Sequence, residues 1–261
     1  MKRVRSFVMF VLACLLGVVP FSRDAWAQRS AGDDANIDPM FLIDMPVAGI
    51  LPATSGSVDA LLYPDGGLMM RATYGLITNL NVGLSFGGTR LIGSGGITWN
   101  KLPGVMLRYR VLEEDAVYPA VIVGFDTQGQ DGWLPAWKQY AVKSPGVFVA
   151  VSKNYTLAGS ISFHGGLNYT LERHDEDFEP NVFVGAEKTI GPLVSALAEY
   201  NFAFDNDKDR KGFWNGGLGL GVRVSTHIGF NVDVLFKNLL TAGFYHQHVV
   251  RELRIQYVRY L

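Results

Sequence analysis

The sequence predicts an all-β protein, a closed antiparallel up-and-down transmembrane β-barrel of about twelve strands. Three observations carry that expectation. From Ser57 onward, apolar and polar residues alternate with a period of two, in runs separated by turn residues. The connections between runs alternate between short and long. One parity of the runs is apolar and almost free of charge, whereas the other collects the arginines and carboxylates.

Taken in order, the chain begins with Lys2, Arg3 and Arg5, an apolar run from Phe7 to Val19, and Ala25-Trp26-Ala27. That order of charge, apolar core and small-x-small site is the pattern of a secretory signal peptide over residues 1–27. The only cysteine, Cys14, lies within it, so the exported part carries no thiol; VLAC, residues 11–14, also offers an acylation alternative to cleavage after Ala27. Without residues 1–27 the chain loses four basic residues and one acidic residue, which leaves a formal charge of −4. A nucleic-acid partner, which needs a basic excess, is excluded on that ground. Residues 28–56 form a separate N-terminal segment. Its apolar part, Met40 to Pro52, is broken by Pro46, Gly49 and Pro52, which predicts irregular chain capping or partly entering the periplasmic mouth.

Residues 57–261 then give the barrel, with strands expected at 57–63, 67–76, 80–88, 104–112, 117–126, 145–152, 157–171, 180–189, 193–205, 213–225, 228–237 and 250–261. Several exceed the five or six residues usual in soluble proteins and suit a tilted membrane crossing of about ten. Short links fall at 77–79, 113–116, 153–155, 190–192 and 226–227, long ones at 89–103, 127–144, 172–179, 206–212 and 238–249; Pro64-Asp65-Gly66 is short on the long side. An open sheet edge cannot be left unpaired in hydrocarbon, so the last strand must pair with the first.

Parity assigns Leu80, Val82, Leu84 and Phe86, Val105, Leu107, Tyr109 and Val111, Leu218, Leu220, Val222 and Val224, and Phe230, Val232, Val234 and Phe236 to lipid. Lys188 and Arg259 are the charges of that parity, near strand ends where they can snorkel. The lumen parity carries Asp59, Arg71, Arg108, Arg110, Asp126, Glu187, Glu199, Arg223, Asp233, Lys237, Glu252 and Arg254. Six bases against six acids predict either a paired network that fills the barrel or a narrow channel lined by both signs.

No motif brings a catalytic residue, metal site or cofactor. Gly217, Gly219 and Gly221 lack the helix a nucleotide loop needs and are expected to make room for bulky lumen side chains of neighbouring strands. Ser162 and His164 share the lumen face about 7 Å apart, too far for a direct bond, so the rival reading of a lipid- or glycan-modifying barrel enzyme has no built dyad. His246 and His248 have no third ligand, and DNDKDRKG at 205–212 lacks the glycine and closing glutamate of a calcium loop. Trp99, Trp133, Trp137 and Trp214 suit an interfacial aromatic belt.

FGGTRLIGSGGITWN (86–100), PAVIVGFDTQG (119–129), KSPGVFVAVSKNY (143–155), FHGGLNYTLE (163–172), FVGAEKTIGPLVSALAEYNF (183–202) and the closing RELRIQYVRYL resemble uncharacterised bacterial outer-membrane barrels similar to YjbH-type exopolysaccharide-associated proteins. The resemblance implies residence in the outer membrane and an envelope role linked to polysaccharide, and it brings no catalytic residues. The last strand also resembles the C-terminal signal read by the barrel-assembly machinery, with Leu261 in place of the usual aromatic residue. The expected partners are outer-membrane lipid and lipopolysaccharide, that machinery, and a polar solute or glycan. The function expected is non-enzymatic, a narrow channel or a structural or export-accessory barrel.

Overall fold

The computed structural model describes residues 38–206, 216–240 and 249–259. The strands are β1 (Gly56–Tyr63), β2 (Gly67–Ile77), β3 (Leu80–Thr89), β4 (Thr98–Trp99), β5 (Gly104–Leu112), β6 (Ala120–Asp126), β7 (Gln130–Leu134), β8 (Gln139–Val142), β9 (Gly146–Thr156), β10 (Ser160–Tyr169), β11 (Asn181–Thr189), β12 (Val194–Asn201), β13 (Gly217–Ser225), β14 (Phe230–Lys237) and β15 (Val250–Arg259). Among the described residues, all of these except β4, β7 and β8 form an antiparallel ring of twelve, each next to its neighbour in sequence. The ring closes where β1 pairs with β15, from Gly56↔Arg259 to Leu62↔Leu253. The predicted signal peptide, Trp214, His246, His248 and Leu261 lie outside the described residues.

The side-chain partition is the one that parity predicts. Leu84, Val105, Leu107, Tyr109, Val111, Leu220, Val222, Val234 and Phe236 stand exposed on the outer wall, at 37–62% of their full area. The charges alternating with them are buried, save Arg110, which is partly exposed. A closed barrel with an apolar exterior and no free edge is the outer-membrane solution to spanning a bilayer, and the protein resides in the bacterial outer membrane. The rim carrying the short turns, where β1 starts and β15 ends, is the periplasmic one in such barrels.

Turn chemistry explains where the strand ends depart from expectation. Strand β9 runs on through Lys153–Tyr155, and the chain reverses instead at 157–159, where Ala158 and Gly159 take positive φ. Strand β6 starts at Ala120 because Asp115 accepts the amides of Val117 and Tyr118 and holds them in a turn. Those two bonds also hold the Asp115 carboxyl below its usual range. Strand β12 stops at Asn201 and gives way to a 3-10 turn, η1 (Phe204–Asn206). At Pro64-Asp65-Gly66, positive φ at both Asp65 and Gly66 makes the tight hairpin turn that Asp-Gly favours.

Two segments fill the cylinder. Residues 39–51 are buried throughout and enter from the periplasmic rim as a narrow hairpin, with a Phe41↔Pro46 bridge and bonds from Leu42 N to Met45 O and Val47 N to Met40 O. Its tip, Asp44, reaches Lys237 at the far end of β14. At the other rim, the 127–144 connection, expected as a long loop, contains the β7–β8 hairpin. Its residues 128–132 are buried, and a Cβ on Gly132 would meet Thr89 at 2.6 Å and Tyr63 at 3.3 Å. The hairpin therefore packs inward over the mouth, onto the ends of β1 and β3. We call the two segments the plug and the lid.

If the exterior faces acyl chains, Val222→Arg in the middle of β13 is expected to lower bilayer stability by about 2–4 kcal/mol, and Val222→Leu by less than about 1 kcal/mol. Denaturant titration of protein refolded into vesicles measures both; equal values would place Val222 away from lipid.

Candidate functional site: the plugged lumen

Of the twelve charges expected to line the lumen, eleven are buried and Arg110 is partly exposed, and the structure shows what these groups hold. Register brings Arg223 opposite Asp233, and Asp233 opposite Arg254, on three consecutive strands. Arg223 grips Asp233 with two bonds, Nε to Oδ1 at 2.8 Å and Nη2 to Oδ2 at 2.9 Å, and donates Nη1 to Glu187 at 3.0 Å. Arg254 reaches Asp233 at 3.4 Å. Further round the ring, past β15 and β1, Arg71 on β2 meets Asp126 at 3.6 Å and stands opposite Asp59 in register. The paired network is therefore present.

The remaining capacity of these groups is directed at the plug backbone. Arg108 donates to the carbonyls of Met40, at 2.7 Å, and Val47; Arg223 to that of Phe41 at 3.0 Å; Arg254 to that of Ile43; and Arg110 to that of Ala48 at 2.8 Å. Arg110 also pairs with Asp38 at 3.3 Å. Glu199 accepts three consecutive plug amides, Ile43 at 2.9 Å, Asp44 at 3.0 Å and Met45 at 3.2 Å. Asn81 clamps Leu51 at both its amide and its carbonyl, at 2.7 and 2.9 Å. A bare hairpin in a lumen without water would leave most of these peptide groups unsatisfied; polar side chains of the wall supply the missing partners.

Packing follows the same outline. Glu199 stands in register between Gly185 and Gly219, where an added Cβ would meet Leu42 at 2.2 Å and Ile43 at 2.9 Å respectively. Gly219 thus makes room for the plug, not for a neighbouring strand; Gly221 faces Leu235 and Leu197 as expected. Met45 and Ala48 pack on Ile122, Phe148 and Phe183, and Leu42, Ile43 and Val47 on Leu197 and Leu235. Phe41 lies among three guanidinium groups, with Arg71 at 4.1 Å, Arg108 at 5.4 Å and Arg254 at 6.0 Å from its ring centre. The inward apolar residues were missed by sorting the lumen parity on charge alone. Their signal is strands apolar on both faces, such as Val147-Phe148-Val149-Ala150.

Lys237 ends β14 with its ammonium on three carboxylates: Asp44 of the plug at 2.8 Å, Asp131 of the lid at 2.8 Å and Glu252 of the wall at 3.0 Å. Beyond it, Lys143 at the end of the lid pairs with Asp175 at 2.6 Å and bonds the Asp205 carbonyl, and Glu172 accepts the amides of Tyr140 and Ser144. Burial pushes the Asp205 carboxyl up to about 7, against the pull of Lys143 and with help from Asp177 and Glu172. Trp99 stacks on Phe86 at the rim, whereas Trp133 packs edge-on against Tyr140 inside the lid and is no part of a lipid belt.

The hydrogen-bond partner of His164 is Ser152, at 2.8 Å from Nδ1; Ser162 bonds Asn154 instead. The Ser152 hydroxyl also accepts the Ala48 amide at 2.9 Å, so the plug lies on it. His164 Nε2 has no hydrogen-bond partner among the described residues, and a third group orienting the imidazole is thus lacking there. Nor do the described residues hold three His, Cys, Asp or Glu that could bind a metal.

No family model matches the chain, and no curated protein matches it. Among solved structures it is similar to the KdgM porin (TM-score 0.47, 9% identity, covering 78% of this chain and 98% of that one). It is also similar to the Acinetobacter baumannii outer membrane protein Omp33 (0.41, 10%, 79% and 97%) and to the NanC porin (0.39, 11%, 79% and 99%).

Two outcomes are expected. Arg223→Met takes the guanidinium from Glu187 and the Phe41 carbonyl and leaves Asp233 with Arg254 alone, and should cost about 3–5 kcal/mol in the same titration. Arg223→Lys should recover only part, since an ammonium cannot form the two-point bond. The second concerns Asp205. Its folded pKa of about 7 lies above the ordinary 3.8, so the folded form holds the proton more tightly. Its stabilisation is complete below about pH 3.8 and is lost as pH rises towards 7. Hydrogen exchange around 202–206, corrected for intrinsic rates, should accelerate across that window, and Asp205→Asn should flatten the response.

Proposed function

We propose that this outer-membrane barrel is a non-enzymatic narrow channel whose resting state is closed by its own N-terminal segment, and that it opens when residues 38–52 leave the lumen. The observation that carries the reading is the hold on the plug backbone by Arg108, Arg110, Arg223, Arg254 and Glu199. Polar side chains bonding to a backbone that shares no ladder with the wall form a contact that can be exchanged for water, unlike a strand added to the sheet. Once it is vacated, the lumen presents both signs of charge, as suits a small polar solute. The YjbH-type resemblance supports a glycan as that solute and an exopolysaccharide-related role.

Planar-bilayer recording tests this. The intact mature chain is expected to be almost silent, and a variant lacking residues 38–52 to show steady discrete openings whose ion selectivity shifts when Arg108 and Arg110 are neutralised. Glu199→Gln, which weakens three charge-assisted bonds, should raise the open probability of the intact chain about tenfold or more. A folded plug-deleted barrel that passes no current would end the channel reading.

A further inference from the structure

The lid and the plug belong to different parts of the chain, yet they meet on one side chain. Asp131 leaves the wall after β6, and Lys237 ends β14, six strands away in either direction around a ring of twelve. The lid thus spans the full mouth to reach its charged partner. The plug tip, Asp44, rises from the opposite rim to the same ammonium, and Glu252 on adjacent β15 completes the set. An ammonium has three N–H donors, and here one goes to the plug, one to the lid and one to the wall. All four side chains are at most one-tenth exposed, so water does not substitute for any of these bonds in the closed form.

We propose that Lys237 is a common latch for both closures, fastening the periplasmic plug and the outer lid to one point of the wall, so that its release frees both mouths of the barrel together. This rests on reading the plug as the closure of the lumen. Without the ammonium, three carboxylates face one another away from bulk water, and their repulsion drives plug and lid from the wall. Lid geometry agrees. Asp131 has φ 63° and Gly132 φ 85°, a reversal that turns the Asp131 carboxylate to Lys237 while Gly132 lies against Tyr63 and Thr89.

Hydrogen exchange with mass spectrometry on the full mature chain in lipid nanodiscs reads both elements at once. With Lys237→Met, exchange is expected to rise about tenfold or more in residues 40–47 and in 130–142, while β9 and β10 stay protected. Asp131→Asn, which tolerates the positive φ, should accelerate the lid, and Asp44→Asn the plug tip. If Lys237→Met leaves either segment at its original rate, the latch is wrong. Should Lys237→Met not insert, the two asparagine variants decide: an unmoved lid in the first, or an unmoved plug in the second, also overturns it. Exchange is independent of conductance, so a barrel that never conducts can still show the latch, and a conducting one can lack it.

Discussion

A lumen enclosed by twelve strands is too narrow to hydrate a dozen charged side chains fully, and the bilayer leaves those side chains nowhere else to point. That constraint organises everything inside this barrel. Ion pairing satisfies part of it, through the Arg223–Asp233–Arg254 row and the Glu187 and Asp126 contacts. Pairing alone leaves guanidinium donors over, because each arginine carries five. The plug supplies their acceptors as peptide carbonyls. In return, Glu199 takes up plug amides that a short hairpin cannot pair by itself. Wall and plug are each incomplete without the other.

Energetically, this arrangement favours specificity over raw stability. Buried ion pairs roughly cancel their own desolvation, so the row on β13 to β15 is weak evidence for a very stable barrel. What the charges do provide is position. Their bonds to Met40, Phe41, Ile43, Val47 and Ala48 fix which residue of the plug lies at which height. The apolar contacts of Leu42, Ile43, Met45 and Val47 contribute most of the burial, and glycines at 185 and 219 set how deep those side chains fit.

The barrel was readable in the sequence because its rule is local: a period of two with oil on one parity and charge on the other places each of the twelve strands and each inward charge from Asp59 to Arg254. The plug and the lid obey no such rule. Plug backbone groups are satisfied by side chains scattered over six strands of the wall, which imprints no period on Met40 to Pro52, and Pro46 and Gly49 read only as breaks. The lid hides within a long connection, and nothing local to Asp131 announces Lys237, 106 residues away. One sign of a filled lumen was present: Ile122, Phe148, Phe183, Leu197 and Leu235 are inward and apolar, positions that a wet pore would give to polar side chains. Ser152 was likewise out of reach, since its meeting with His164 depends on the β9–β10 register.

The distribution of the plug's bonds bears on how it can leave. Near the periplasmic rim it is held by Asn81 at Leu51 and by Arg110 at Asp38 and Ala48. At the tip, within Ile43 to Met45, Glu199 and Lys237 concentrate four bonds to charged groups, and Arg254 adds a fifth. A hairpin held hardest at its far end cannot peel gradually from the accessible one, because the contacts that fix it break last. Nor can it slide, for a shift of one residue takes every carbonyl off its guanidinium and drives Leu42 and Ile43 out of the hollows at Gly185 and Gly219. Intermediate positions therefore lose bonds without gaining others. The proposed opening is therefore all-or-none, and its balance is set at the tip, where plug, lid and wall meet.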